Sequence, residues 1–247
     1  DQTLQFLLFI PSQAFTPEFL TEFIINYHRH ALHILGNYSD QGNHLLFEAQ
    51  RMVYAGVFFP EFKEATGWRE SGISILNREI KKQVYPDGGQ YELDPHYHLA
   101  AINIFCKALR MADVNGFRQE FPAEYVNTVK NMIEFYANIC FPDYSNPCFS
   151  DAKLGDRPAE IRNYQEWLKL FPDCNWIRYY ATEGREGSPL PNLSHGALTS
   201  GFFTFRNGWK QDATVMVVKA GPKGEWHCQP DNGTFELWFN GRNLFPD

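Results

Sequence analysis

The sequence predicts a curved array or toroid of helical hairpins followed by the first strands of a β-sandwich. Three observations carry this. Up to about residue 180, apolar residues recur at helical spacing between short polar turns. The helix-turn-helix pairs return about every 45 to 55 residues with no sequence repeat, as in curved helical arrays. Beyond the Gly/Pro/polar linker Glu183-Gly-Arg-Glu-Gly-Ser-Pro-Leu-Pro-Asn192, runs rich in aromatic and β-branched residues replace the helical pattern. The expected units are residues 1–185 and 186–247.

Each element has its own signal. Thr16 caps a first helix with Pro17 in its opening turn, and Phe19, Leu20, Phe23, Ile24, Tyr27 and Leu32 form its stripe to about Leu35. Ser39 or Asp40 starts a second, which carries Leu45, Leu46, Ala49, Met52, Val53 and Val57 and ends before Pro60. A third runs from about Thr66 to Val84. Asp94 caps a fourth that carries Leu99, Ile102, Phe105, Leu109 and Met111 and stops before Gly116. A fifth opens at Pro122, and a sixth spans about Pro158 to Phe171 after a turn-rich stretch. Strands follow at 201–206, 213–219 and 234–239, with short hairpin turns expected at Asn207-Gly208 and Asn240-Gly241. The last strand opens a hairpin at Arg242 that stops at Asp247, so the chain reads as a piece of something longer.

A chain of 247 residues, 44% hydrophobic and 16% aromatic, can bury a sizeable core. No run of about 18 uncharged apolar residues suits a membrane span. The apolar start, Leu4-Gln-Phe-Leu-Leu-Phe-Ile10, lacks a basic flank and reads as part of a buried element rather than a signal peptide. A formal charge of −7 argues against broad nucleic-acid binding. A polyanionic ligand would need Arg51, Arg69, Arg78, Lys81, Lys82, Lys107 and Arg110 focused into one groove. Five cysteines without CxxC spacing suit buried thiols better than a disulfide framework or a metal finger.

The most informative stretch is Asp87-Gly-Gly-Gln-Tyr-Glu-Leu-Asp-Pro-His-Tyr-His98, a glycine turn followed by a capped helix start with a phenol between two imidazoles. Tyr97 falls in the first helical turn, where the positive end of the helix dipole would favour its phenolate. In Gly42-Asn43-His44-Leu-Leu-Phe-Glu48, His44 and Glu48 lie four apart on one face, so the carboxylate could fix the imidazole tautomer. A third candidate, His227, sits behind a tryptophan in the Gly-rich loop Gly221–Gly233, between two expected strands. The remaining histidines His28, His30, His33 and His195 show no comparable setting.

Helical hairpins followed by a sandwich, with Asn43-His44, Pro95-His-Tyr-His98 and the loop around His227, resemble the heparinase II/III family of polysaccharide lyases over nearly the whole chain. The block Glu79-Ile-Lys-Lys-Gln-Val-Tyr-Pro-Asp-Gly-Gly-Gln-Tyr-Glu-Leu-Asp-Pro-His-Tyr-His98 is the most specific part. The resemblance is to the members that act on heparan sulfate. It implies an incomplete α/α toroid joined to antiparallel β-sandwich sheets, and β-elimination at a glucosamine–uronate linkage, giving a 4,5-unsaturated uronate without an organic cofactor. Asn43 would neutralise the uronate carboxylate, Tyr97 would serve as acid and, for some uronates, as base, and His227 would be the second acid/base group. His44, Glu48, His96 and His98 would contact substrate.

Relatives hold a divalent metal through a histidine where this chain has Gln229, and through an aspartate for which Asp247 is the candidate. Oxygen donors of that kind suit calcium or manganese better than zinc. The resemblance also implies a periplasmic or secreted location. Three other readings stay open: an alginate or other uronate lyase, a toroid-type glycoside hydrolase using Glu48, Glu92 and Asp94, and a glycosaminoglycan-binding protein without turnover.

Overall fold

The computed structural model describes residues 10–246; the apolar start up to Phe9 and Asp247 lie outside the described residues. Seven α-helices lie among them: α1 (Pro17–Gly36), α2 (Gly42–Phe58), α3 (Ala65–Gln83), α4 (Pro95–Val114), α5 (Ala123–Ile139), α6 (Arg157–Leu170) and α7 (Asn175–Ala181). A 3₁₀ turn, Arg118–Glu120, links α4 to α5. Five strands follow: β1 (Ser194–Ala197), β2 (Phe202–Arg206), β3 (Val215–Lys219), β4 (Thr234–Phe239) and β5 (Arg242–Asn243). They form one antiparallel sheet in sequential order.

Thr16 and Asp94 cap where the sequence predicts, and Asp156 adds a cap that sequence reading missed. Thr16 Oγ1 accepts from the Phe19 amide, Asp94 Oδ1 from the amides of His96 (2.7 Å) and Tyr97 (3.0 Å), and Asp156 Oδ2 from that of Ala159. The second helix departs from expectation. It begins at Gly42 behind Gln41, which makes no side-chain cap bond. Ser39 instead donates its backbone N–H (2.6 Å) and hydroxyl (2.8 Å) to Glu48.

α2 and α3 form a close hairpin because glycines stand where the backbones meet. A Cβ on Gly72 would lie 2.4 Å from the Ala49 carbonyl oxygen, and one on Gly56 would lie 2.2 Å from that of Ala65. α4 packs beside this hairpin, and Leu76, Ile102, Phe105, Leu109, Tyr125 and Tyr136 join a continuous core that reaches the sheet. α1 is held at the edge through Ala31, packed with Met52 and the buried Trp68.

Two elements escaped sequence reading. α7 is only seven residues long, and β1 is the polar Ser-His-Gly-Ala stretch, whose strand character comes from pairing with β2. The Asn207-Gly208 turn is also longer than expected. Asn207 Oδ1 accepts from the Thr214 amide at 2.8 Å across a loop in which Trp209 stacks on the Arg206 guanidinium, 4.0 Å from ring centre. Asn240-Gly241, both at positive φ (47° and 85°), makes the expected two-residue turn.

One face of the sheet meets the helices. Phe202 packs edge-on against Phe135 of α5 (5.4 Å between centroids), and Arg206 donates to the carbonyls of Asn138 (2.5 Å) and Cys140 (3.3 Å) at the end of that helix. Asp87 reaches across from the glycine turn, its Oδ2 accepting from the amides of Thr199 (2.7 Å) and Ser200 (2.8 Å). The adjacent glycines make room: a Cβ on Gly88 would lie 2.5 Å from the Asn131 carbonyl, and one on Gly89 would lie 2.6 Å from Ser200.

Gly72→Ala tests the hairpin contact. The added methyl has a backbone oxygen against it, so the helices must part, at a cost of about 1–3 kcal/mol by the usual overpacking range. Urea denaturation is expected to show a lower midpoint with an unchanged slope.

Candidate active site

Three segments distant in sequence meet at one cleft. The first is the start of α2. Gly42 adopts φ of 76°, and the Trp226 ring lies where a side chain would project, 3.5 Å from an added Cβ. This close approach brings the loop between β3 and β4 against α2.

The second segment is the turn before α4. Tyr85 and Gly89 close it by a backbone bond of 2.8 Å, the Tyr91 amide donates to Gln83 O, and Leu93 takes φ of 53° before the Asp94 cap. The third is the 220–233 loop. The Glu225 amide donates to Tyr91 O at 3.1 Å, and Asn232 brackets Gly221 with two bonds of 2.7 Å. At Gly224 a Cβ would lie 2.8 Å from the Glu92 carbonyl oxygen.

The result is a cavity of about 700 Å³ lined by Gln41, Gly42, Asn43, His44, Phe47, Glu48, Glu92, Tyr97, Trp226 and His227. The Tyr97 and His227 rings stack face to face, with centroids 3.6 Å apart and planes 11° from parallel. Asn43 Nδ2 donates to Glu92 Oε1 at 3.1 Å, and Glu92 Oε2 lies 3.9 Å from His227 Nε2. His227 Nδ1 is 3.1 Å from Asp151 Oδ2. Among the described residues, Asn43 Oδ1 and Glu92 Oε2 are buried without a protein hydrogen-bond partner.

Electrostatics corrects one expectation. The helix start does supply backbone donors, but Asp94 takes them. Partial burial, followed by the negative charges of Asp94, Glu92 and Asp151, pushes the Tyr97 phenol above its ordinary range, so it holds its proton at neutral pH. Burial likewise raises the Glu92 carboxyl.

The other expected site residues divide. His44 is exposed on the cavity lining, and Glu48 lies beside it with both oxygens engaged by Ser39, not by the imidazole. His96 is exposed outside the lining, edge-on to Tyr97. His98 is a correction. Only 2% exposed, it accepts from the Gln90 amide at Nδ1 (3.2 Å) and donates from Nε2 to the Met132 carbonyl (2.9 Å). It fastens the glycine turn to α5 and presents nothing to substrate. Its position at i+4 from Asp94 gives no hint of this, since the amide and carbonyl that hold it come from elsewhere in the chain.

The basic residues do not gather into one groove either. None lines the cavity; Arg69 pairs with Glu120, Arg78 with Glu79, Lys81 with Glu124 and Arg110 with Asp113. Of the two expected metal donors, one lies within the described residues. Gln229 directs its Nε2 to Asp151 Oδ1 at 2.5 Å, and Asp247 is outside the described residues. Among the described residues no three His, Cys, Asp or Glu side chains cluster as a metal site.

Two residues that sequence reasoning did not place here are Glu92, read only as a hydrolytic carboxylate, and Asp151, which passed unnoticed in the turn-rich stretch. Its one sequence signal is an acidic residue among turn formers, which is too common to single it out. For hydrolysis, Glu48 is committed to Ser39, and Asp94 Oδ1 is committed to capping α4.

Helical hairpins joined to an antiparallel sheet, with an amide, a phenol and an imidazole round one cleft, define the toroid-plus-sandwich class equipped for proton transfer. Comparison with known proteins makes this specific. The family description "Heparinase II/III N-terminus" matches residues 1–179, and "Heparinase II/III-like, C-terminal" matches residues 189–247. The chain belongs to the heparinase II/III family. It is 70% identical over 247 residues to a heparin-sulfate lyase of Bacteroides stercoris, covering all of this chain and 37% of that protein. It is 52% identical over 242 residues to the heparin-sulfate lyase of Pedobacter heparinus, covering 98% of this chain and 37% of the relative. A solved heparinase III structure superposes with a TM-score of 0.92 at 71% identity, covering all of this chain and 39% of that one. The chain thus spans well under half the length of the relatives it matches.

His98 generates a stability prediction. Burial pushes its imidazole down from 6.5 to about 4. Between those values the unfolded chain binds a proton that the folded one refuses, so His98 contributes stability above about pH 6.5 that is lost as pH falls toward 4. Comparing wild type with His98→Gln by denaturation at several pH values, we expect the wild-type advantage to shrink by up to about 3 kcal/mol over that window. A constant difference would refute the assignment.

Proposed function

We propose that the protein is a heparan sulfate lyase that cleaves the glucosamine–uronate linkage by β-elimination. The observation that carries this reading is the convergence of Asn43, Tyr97 and His227 on one cavity, with the last two rings in van der Waals contact. The likeness to heparin-sulfate lyases supports the substrate.

The chemistry fits the groups. The C5 proton of a uronate is weakly acidic, and its removal builds negative charge on the neighbouring carboxylate, which needs donors fixed in advance. The Asn43 amide, held by Glu92 through one N–H, has its second N–H for that carboxylate. His227 takes the C5 proton as base. The C5–H electron pair becomes the C4–C5 double bond, the C4–O4 bond breaks, and Tyr97 gives its phenolic proton to O4. A phenol that keeps its proton at neutral pH suits the acid role. No organic cofactor enters this scheme, and a periplasmic or secreted location goes with a polysaccharide substrate.

Incubation with heparan sulfate, heparin and alginate, following the ultraviolet absorbance of the new double bond, tests the reaction and ranks the substrates. Unsaturated products from heparan sulfate are expected; a saturated, water-added product would replace elimination with hydrolysis. Tyr97→Phe and His227→Ala are each expected to lower kcat by roughly 10²- to 10⁴-fold, with thermal denaturation close to wild type because neither side chain is fully buried.

A further inference from the structure

We propose that Asp151, clamped by Gln229, is the positioning residue for His227: it holds the imidazole with its proton on Nδ1 and leaves the Nε2 lone pair facing the cavity. The inference rests on the elimination reading, in which His227 is the base.

The geometry is specific. Asp151 Oδ2 lies 3.1 Å from His227 Nδ1, while Oδ1 accepts from Gln229 Nε2 at 2.5 Å. A carboxylate has only acceptors to offer, so the hydrogen between it and Nδ1 belongs to the imidazole. In the neutral ring Nε2 then bears the lone pair, and Nε2 is the nitrogen on the side of Glu92, within the cavity wall.

The chain fixes Asp151 through its neighbour. Ser150 sits at φ of 65°, an uncommon conformation for a residue with a side chain. Its amide donates to Asp231 Oδ2 at 2.6 Å, and its hydroxyl donates to Leu93 O at 3.3 Å while accepting from Lys219 Nζ at 2.5 Å. Lys219 is 1% exposed and pairs with Asp231 at 2.6 Å. The carboxylate is therefore aimed by a buried, charge-assisted network rather than by a free surface loop.

The consequence is positional: the imidazole is locked in the tautomer able to accept a proton from carbon, with the carboxylate holding the ring from behind as the proton arrives. Gln229 holds the second carboxylate oxygen, which fixes Asp151 behind the ring. Gln229 thus has a task in this chain other than holding a metal.

The test combines kinetics with ¹⁵N NMR of histidine-labelled protein, with the His227 signals assigned through His227→Gln. Wild type is expected to show a protonated Nδ1 and a bare Nε2, and in Asp151→Ala this preference is expected to disappear. On heparan sulfate, Asp151→Ala is expected to lose roughly 10²- to 10⁴-fold in kcat, with KM changed by less than about threefold and partial recovery in Asp151→Glu. Gln229→Leu, which leaves the loop anchors intact, covers the case of a poorly folded Asp151 variant and is expected to lower kcat several-fold. Full kcat in Asp151→Ala, or a wild-type His227 with its proton on Nε2, would overturn the proposal. Absence of unsaturated product from the wild type on any uronate polymer would sink the elimination reading, and the NMR comparison would still decide the tautomer.

Discussion

The buried ammonium of Lys219 is the interaction on which the site depends. A Lys excluded from water is costly unless its donors are met. Here Ser150 and Asp231 meet them, and the Cys228 sulfur lies 3.5 Å away. These partners come from the loop before α6 and the loop between β3 and β4, while Lys219 ends β3. One side chain therefore fastens to the sheet the two loops that bring Asp151 and His227 together. Removing it would leave the Asp231 carboxylate, about 10% exposed, without its counter-charge.

Glu236 repeats the device one strand over. Fully buried, it accepts from the Cys148 amide and from Asn243, each at 2.5 Å, tying the same loop to β4 and β5. On the helical side, Asp87 and His98 hold the glycine turn against the sheet and α5. The cleft is thus carried on stiff supports, and loops deliver only the last few residues to it. That arrangement suits a reaction requiring a donor, a base and an acid fixed about one sugar ring.

The electrostatics is more acidic than a polyanionic ligand would suggest. The cavity lining holds Glu48 and Glu92 and no Lys or Arg. Both Glu48 oxygens are engaged by Ser39 and burial raises the Glu92 carboxyl, while the rest of the wall presents amides, rings and a phenol. Under the elimination reading, the Asn43 amide would meet a uronate carboxylate through hydrogen bonds rather than through a paired cation.

Much was legible in the sequence because it is local. Thr16 and Asp94 cap helices through atoms two or three residues away, and Asn240-Gly241 turns the chain by its own φ preferences. The block that ends in Pro-His-Tyr-His marked the site because a cap, a proline and a phenol must lie in register along one stretch. Other features were decided only by tertiary structure. β1 is a strand because β2 pairs with it; His98 is structural because Gln90 and Met132 close over it; Asp151 reaches His227 only because Lys219 and Asp231 hold Ser150. Even the Tyr97 proton follows this rule: the helix start suggested a stabilised phenolate, but burial and three carboxylates that folding gathers around the ring outweigh a dipole already spent on its cap. Short-range geometry is written in neighbouring residues, whereas burial and charge are sums over partners that the chain meets only once folded.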